Sequence, residues 1–219
     1  MKLSHIVIII LLIQSCKILK YENKESVFSY SEQKELKTIL KFYDENVCNS
    51  RALNKDNLKS CYSEYLDNLT SIAETGIFDI GISLGEQDSF FIKLDNKIFN
   101  EVFVKTESYL NRKRIISNNP KIFPDTIPQY LFNVKGKYIQ HLKVLGKDNW
   151  KIEEYYLSIL KDPGIPSSLF NEILMGYRNY DITNDDIRLV FALHYLLLNK
   201  RQMEMKKSEA RLDLELKSE

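Results

Sequence analysis

The chain has 219 residues, of which 31 are lysine or arginine and 30 are aspartate or glutamate, so its formal net charge is +1. This near-neutral balance argues against nucleic acid as a partner, because phosphate binding needs a basic surface. A chain of this length can form one domain or two small ones.

The N-terminal residues predict an export signal. Lys2 carries a positive charge, and the run from Ile6 to Ile13 is entirely apolar. That run has about half of the roughly 20 residues that span a bilayer. A positive start followed by a short apolar core is typical of a secretory signal peptide. Residues 1–15 are therefore predicted to be removed.

The end of this signal, Ile13-Gln14-Ser15-Cys16, resembles the lipobox of bacterial lipoproteins. An aliphatic residue stands three positions before the cysteine, and a small residue stands directly before it. The resemblance covers residues 1–16 only, and it implies that Cys16 carries diacylglycerol and that the new N-terminus can also be acylated. Two or more acyl chains hold a protein firmly on a membrane, whereas one holds it marginally. The alternative is an ordinary signal peptide that is cut nearby.

The same resemblance implies a location. A bacterial lipoprotein lies in the cell envelope. In that family an aspartate directly after the lipidated cysteine favours retention in the inner membrane. Lys17 stands at that position here, which favours the outer membrane. Residues 16–30 are expected to form the lipidated tether, residues 31–199 a helical domain, and residues 200–219 a charged helical tail.

The three cysteines fit this interpretation, because lipidation of Cys16 leaves Cys48 and Cys61 as a pair. An oxidising compartment would let this pair form a disulfide. Closing a loop of this length contributes about 3 kcal/mol to stability in the chain-entropy model. The alternative is two buried free thiols.

Helical spacing of apolar residues dominates the first half of the chain. Stripes from Leu36 to Val47 and from Leu58 to Ala73 predict a helical hairpin, and Ser29 with Glu32 can cap its first helix. Residues 76–94 contain three glycines and predict a loop or one small β-hairpin.

The next two segments are more ambiguous. Residues 98–110 have helical spacing, but their β-branched content makes a strand the alternative. Residues 117–128 contain three prolines and predict a connector, which would mark a boundary between two halves.

Four more helices are predicted in the second half, at residues 130–145, 149–161, 167–177 and 187–198, the last preceded by a capping box over residues 183–186. The predicted fold is thus mainly α, an irregular bundle of about seven helices. The tail has 11 charged residues in 20, which predicts a solvated helix that frays. A partner-binding helix is the alternative.

No catalytic motif stands out. His141 is predicted to be partly exposed and His194 to be a core residue, and neither has a second histidine or cysteine at metal-ligand spacing. The carboxylates of Asp181 and Asp185 faintly resemble the start of a calcium loop, but Asp186 stands where that loop needs glycine. We therefore predict neither a metal nor a cofactor.

Tyrosine and tryptophan are frequent at binding surfaces, and the chain has 13 tyrosines. The candidate binding surface consists of Trp150, Tyr155, Tyr156, Tyr177 and Tyr180, with packing in the core as the alternative. The sequence favours a lipid-anchored protein that binds another protein, as an immunity protein against a delivered toxin does. The alternatives are a surface-exposed adhesin or host-factor binder and, less favoured, a hydrolase. A pocket that joins His141 to several carboxylates would favour the hydrolase.

Overall fold

The computed structural model describes residues 26–48, 54–74, 80–116, 119–164, 173 and 176–218. Within these ranges the chain forms seven α-helices, a short 3₁₀ turn and one antiparallel pair of strands. In chain order they are α1 (Tyr30–Val47), α2 (Lys55–Glu74), α3 (Leu84–Lys93), α4 (Asn96–Val102), β1 (Phe103–Ile116), β2 (Asn119–Phe132), α5 (Lys137–Gly146), α6 (Trp150–Lys161), the turn Tyr177–Asn179 and α7 (Asp185–Ser218). The predicted mainly α-helical class is confirmed. The signal peptide and Cys16 lie outside the described residues.

The predicted helical hairpin is confirmed as α1 and α2. Ser29 and Glu32 form the expected capping box, in which the Ser29 N–H donates to Glu32 Oε2 at 2.8 Å. A disulfide joins Cys48, directly after α1, to Cys61 in α2, and their Cα atoms are 5.2 Å apart. The predicted pairing is therefore confirmed, and the alternative of two free thiols is wrong.

The first part of α7 is the centre of the core. Its buried apolar residues, each at most 6% exposed, are Ile187, Leu189, Val190, Phe191, Ala192, Leu193, Tyr195, Leu196 and Leu197. A helix that is apolar on most of its circumference must be surrounded by other elements. The predicted capping box is wrong, because Asn184 is the residue whose side chain accepts hydrogen bonds from the N–H groups of Asp186 and Ile187, at 2.8 and 3.4 Å.

Two polar clusters tie this core together. Arg188 of α7 lies 3.3 Å from Asp44 of α1, and the Tyr62 hydroxyl donates to the same carboxylate at 2.5 Å. Burial raises the pKa of Asp44, and the hydrogen bonds and charge of its two partners oppose that rise. Three turns further along α7, on the same side of the helix, the Asn199 amide donates to Gln87 of α3 at 2.6 Å.

A third cluster surrounds Glu32, which is buried at the start of α1. Its carboxylate accepts hydrogen bonds from Lys137 at 2.7 Å and pairs with Lys97 at 3.0 Å. Hydrogen bonds from Lys137, Ser29 and Lys97 hold the pKa of Glu32 well below its usual range. This one side chain therefore joins α1 to α4 and α5.

The β-element is not where the sequence placed it. Residues 84–93 of the predicted 76–94 loop or hairpin form α3, which Ser83 and Glu86 begin with a capping box. Residues 76–79 lie outside the described residues. The helix predicted over 98–110 ends at Val102, and its alternative, a strand, is found from Phe103 onward.

The predicted connector over 117–128 is wrong from Asn119 onward, because these residues belong to β2. The three prolines of β2 lie opposite Ile115, Glu107 and Asn111 of β1, and all three stand at even-numbered positions. A proline cannot donate to a strand ladder, so it fits only where the N–H would point away from the partner strand. The same even-numbered side includes Phe132, whose N–H donates outward to the Pro163 carbonyl at 3.0 Å.

The helices predicted near 130–145 and over 149–161 correspond to α5, which begins seven residues later than expected, and α6. Most of the segment predicted as a helix over 167–177 lies outside the described residues. Phe28, which belongs to the segment 16–30 that was expected to be the tether, is 2% exposed and packs in the core. Residues 16–25 lie outside the described residues.

The charged tail continues α7 along the strand pair. Ser208 and Arg211 both hydrogen-bond to Asp125 of β2, and Leu212 is buried. The prediction of a solvated, fraying tail is therefore wrong for this side of the helix. No helix in the described ranges has both the length and the apolar character that a membrane crossing requires.

The buried His194 leads to a prediction about pH. Its ring is 0% exposed, with Nδ1 3.3 Å from the Tyr155 hydroxyl, and burial lowers its pKa from 6.5 to about 3. Below its ordinary pKa the unfolded chain binds a proton that the native chain excludes, so stability falls as pH falls. Between roughly pH 7.5 and pH 5, His194 should cost about 2 kcal/mol of unfolding free energy.

Urea unfolding followed by helical circular dichroism at several pH values measures this loss. A His194→Gln variant should lack the part that His194 contributes, whereas a His141→Gln variant should retain it. Equal pH dependence in wild type and His194→Gln would contradict the prediction.

Candidate functional site

The five aromatic residues of the predicted binding surface do not form one surface. Trp150 is 64% exposed, but Tyr155 is 1% and Tyr177 is 5% exposed. Tyr155 faces inward with Ile152 and Ile159, at the helical spacing that places all three on the buried side of α6. The prediction is therefore wrong for Tyr155 and Tyr177, while Tyr156 and Tyr180 are half-buried against the core.

The outer side of α6 presents a second apolar stripe. Trp150, Leu157 and Leu160 are 64%, 54% and 42% exposed. Residues seven apart lie on the same side of a helix, about 10 Å from each other along its axis. We call the three residues Trp150, Leu157 and Leu160 the Trp150 surface. The predicted binding surface did not include Leu157 and Leu160, because it was defined by aromatic residues alone.

One end of the Trp150 surface is held in place by a lysine. Lys151 Nζ lies 5.3 Å from the centre of the Trp150 ring and 5.7 Å from that of Tyr180. An ammonium group is attracted to the faces of aromatic rings at such distances. The Tyr180 ring in turn packs edge-on against Phe191 of α7 at 5.3 Å. The core thus orients Tyr180 and Lys151, and these two residues support the exposed tryptophan.

Charged residues border the Trp150 surface. Glu153, Glu154 and Lys161 are exposed on the same helix. An apolar centre with a polar rim is the usual anatomy of a protein–protein interface, and tryptophan is enriched among the residues that dominate binding energy. The arrangement is therefore suited to contact with another protein.

A separate pocket of about 230 Å³ lies where α1, α5 and the start of α7 meet. We call it the His141 pocket. It is lined by apolar residues from all three helices and by polar side chains, which are Ser26, Gln33, Lys37, His141, Asp185 and Asp186. Its members come from three distant segments of the chain, which explains why no local motif revealed it.

His141 and Asp186 form a pair within this pocket. Nε2 of His141 lies 3.4 Å from Asp186 Oδ1, and the histidine side chain is 13% exposed, which confirms the predicted partial exposure. The ring also packs edge-on against Phe28 at 5.6 Å. Asp185 instead accepts a hydrogen bond from Arg188 at 2.8 Å. A histidine beside a carboxylate can accept and release a proton, as general acid–base catalysis requires.

The remaining sequence candidates have structural roles. Asp181 accepts hydrogen bonds from the backbone and hydroxyl of Thr183, at 3.0 and 2.7 Å, so its carboxylate organises the turn before α7. Across the described ranges, no group of three or more His, Cys, Asp or Glu side chains is arranged to hold a metal ion.

Comparison with known proteins gives no match to a family model, to a curated protein or to a solved structure.

Proposed function

We propose that this chain is an exported, lipid-anchored protein that works by binding another protein through the Trp150 surface. The observation that carries the binding role is α6, which buries one apolar stripe in the core and exposes a second, with Trp150 at 64% exposure. Large exposed apolar side chains with a polar rim are common at interaction sites.

Two features support export. The lipobox-like end of the signal points to Cys16 as the anchored residue, and the Cys48–Cys61 disulfide suits an oxidising compartment outside the cytosol. The anchor and the disulfide together favour the bacterial envelope, with the outer membrane as the expected site.

The partner class that we favour is a delivered toxin, which an immunity protein in the envelope would neutralise. A surface-exposed adhesin or host-factor binder is the alternative. Growth arrest after deletion of this gene, in cells that keep a neighbouring toxin gene, would favour immunity. Cleavage by protease added to whole cells would favour the surface binder.

The binding role predicts how partner capture responds to mutation. Purified protein should capture a specific partner from envelope extract, identified by mass spectrometry, and Trp150→Ala combined with Leu157→Ala should abolish that capture. Loss of two dominant contacts of this type costs about 2 kcal/mol or more each, so affinity should fall by over a hundredfold.

Ile92→Ala is the matched control, because Ile92 is an apolar residue of α3 that is 84% exposed. It should leave capture unchanged. A partner that binds the double variant as well as wild type would show that the Trp150 surface is not the binding site.

The anchor makes an independent prediction. Cys16→Ser removes the thiol that would carry the lipid, so the protein should move from the membrane fraction to the soluble fraction of fractionated cells. Cys48→Ser, which removes a cysteine of the disulfide, should leave the protein in the membrane fraction. Unchanged fractionation of Cys16→Ser would reject the lipid anchor.

A hydrolase is the less favoured candidate, and the His141 pocket is the observation that favours it, because it joins His141 to Asp185 and Asp186. The hydrolase hypothesis predicts that purified protein hydrolyses chromogenic ester or glycoside substrates. His141→Asn and Asp186→Asn should then each lower the rate by about a hundredfold, and the exposed Glu153→Gln should not. A rate for wild type equal to that of His141→Asn would reject the hydrolase.

A further inference from the structure

The two edges of the strand pair differ in their capacity to bind another strand. On the outer edge of β2, the even-numbered residues direct their backbone groups away from β1, as the hydrogen bond from Phe132 to Pro163 shows. Pro120, Pro124 and Pro128 all stand on this side and have no N–H to offer. Prolines on an edge strand prevent the addition of further strands.

The outer edge of β1 has no such protection. In an antiparallel pair, two residues that lie opposite each other direct their backbone groups either both toward each other or both away from each other. The even-numbered residues of β2 lie opposite the odd-numbered residues of β1. The odd-numbered residues of β1 therefore direct their N–H and C=O groups outward. They run from Phe103 to Ile115, and β1 contains no proline. In the described part of the chain the sheet has two strands only, and Tyr109 at the middle of this edge is 82% exposed.

We propose that β1 pairs edge to edge with β1 of a second copy of this chain, in an antiparallel, two-fold symmetric dimer. When Leu110 of one copy lies opposite Leu110 of the other, Tyr109 lies opposite Asn111 of the second copy. We call this arrangement pairing about Leu110. Both Tyr109 and Asn111 have outward N–H groups. Each such pair exchanges two hydrogen bonds. The two hairpins then form one continuous four-stranded sheet.

Charge selects this register. Pairing about Leu110 places Glu107 opposite Lys113 of the second copy, and symmetry repeats this pairing of opposite charges. Moving the strands by two residues in one direction places Lys105 opposite Lys113 of the second copy, which brings like charges together. Moving them by two residues in the other direction leaves Glu107 opposite an isoleucine. Opposite charges directly across two strands stabilise a sheet, and like charges destabilise it.

Sedimentation velocity of the purified protein over a wide range of concentration tests the dimer. Wild type should show a concentration-dependent dimer. Tyr109→Pro removes an outward N–H without touching the ladder to β2, and it should raise the dissociation constant at least tenfold. Thr126→Pro is the matched control, because Thr126 lies directly opposite Tyr109 with its N–H on the other edge. It should leave the dimer unchanged.

A charge exchange tests the register without a backbone change. Glu107→Lys and Lys113→Glu should each weaken the dimer, and the variant with both changes should recover the wild-type dissociation constant. The proposal is overturned if wild type stays monomeric at all concentrations, if Tyr109→Pro dimerises as Thr126→Pro does, or if the double charge variant is no stronger than the single ones.

Discussion

From residue 187 to residue 200, α7 is almost entirely buried, so every polar group that it carries into the interior needs a partner from a neighbouring helix. Arg188 forms an ion pair with Asp44 of α1, and the Asn199 amide donates a hydrogen bond to Gln87 of α3. A buried charge or amide without a partner costs more than its hydrogen bond contributes. These bonds therefore fix which helix packs at which turns of α7, whereas the apolar residues between them would tolerate several arrangements.

The same helix positions both candidate sites and the strand pair. Its first turn supplies Asp186 to the His141 pocket, and its second turn supports Tyr180 through Phe191. Its C-terminal third holds Asp125 of β2 through Ser208 and Arg211. A rigid helix of 34 residues spans about 50 Å. The Trp150 surface and the free edge of β1 are thus parts of one framework.

Helical periodicity made much of the fold predictable. The hairpin of α1 and α2, the bounds of α6 and the central place of α7 all follow from apolar spacing and capping residues, and the disulfide follows from the cysteine count. The β-hairpin was missed because three prolines were interpreted as breakers, although their spacing of four keeps them all on one edge. Gly81 and Gly85 similarly led to the prediction of a loop or hairpin where the structure has α3. Gly81 adopts a positive φ of 74°, but it lies before the first residue of α3 and therefore does not interrupt the helix.

The sites were harder to predict than the fold. The His141 pocket is assembled from α1, α5 and α7, and no spacing within one segment indicates such an assembly. For the Trp150 surface, the sequence identified its tryptophan but could not separate it from Tyr155, which is five positions away on the opposite side of the same helix. Only the packing of α6 decides which of its two apolar stripes is covered.

The position of Glu32 also has a mechanical consequence. A pull on the chain at residue 26 reaches the folded part within a few residues, at Phe28 and Ser29. The ion pairs of Glu32 with Lys97 and Lys137 would transmit this force from α1 to α4 and α5. Tension applied at residue 26 would be shared among three helices, so the first turn of α1 should resist separation from the rest of the fold.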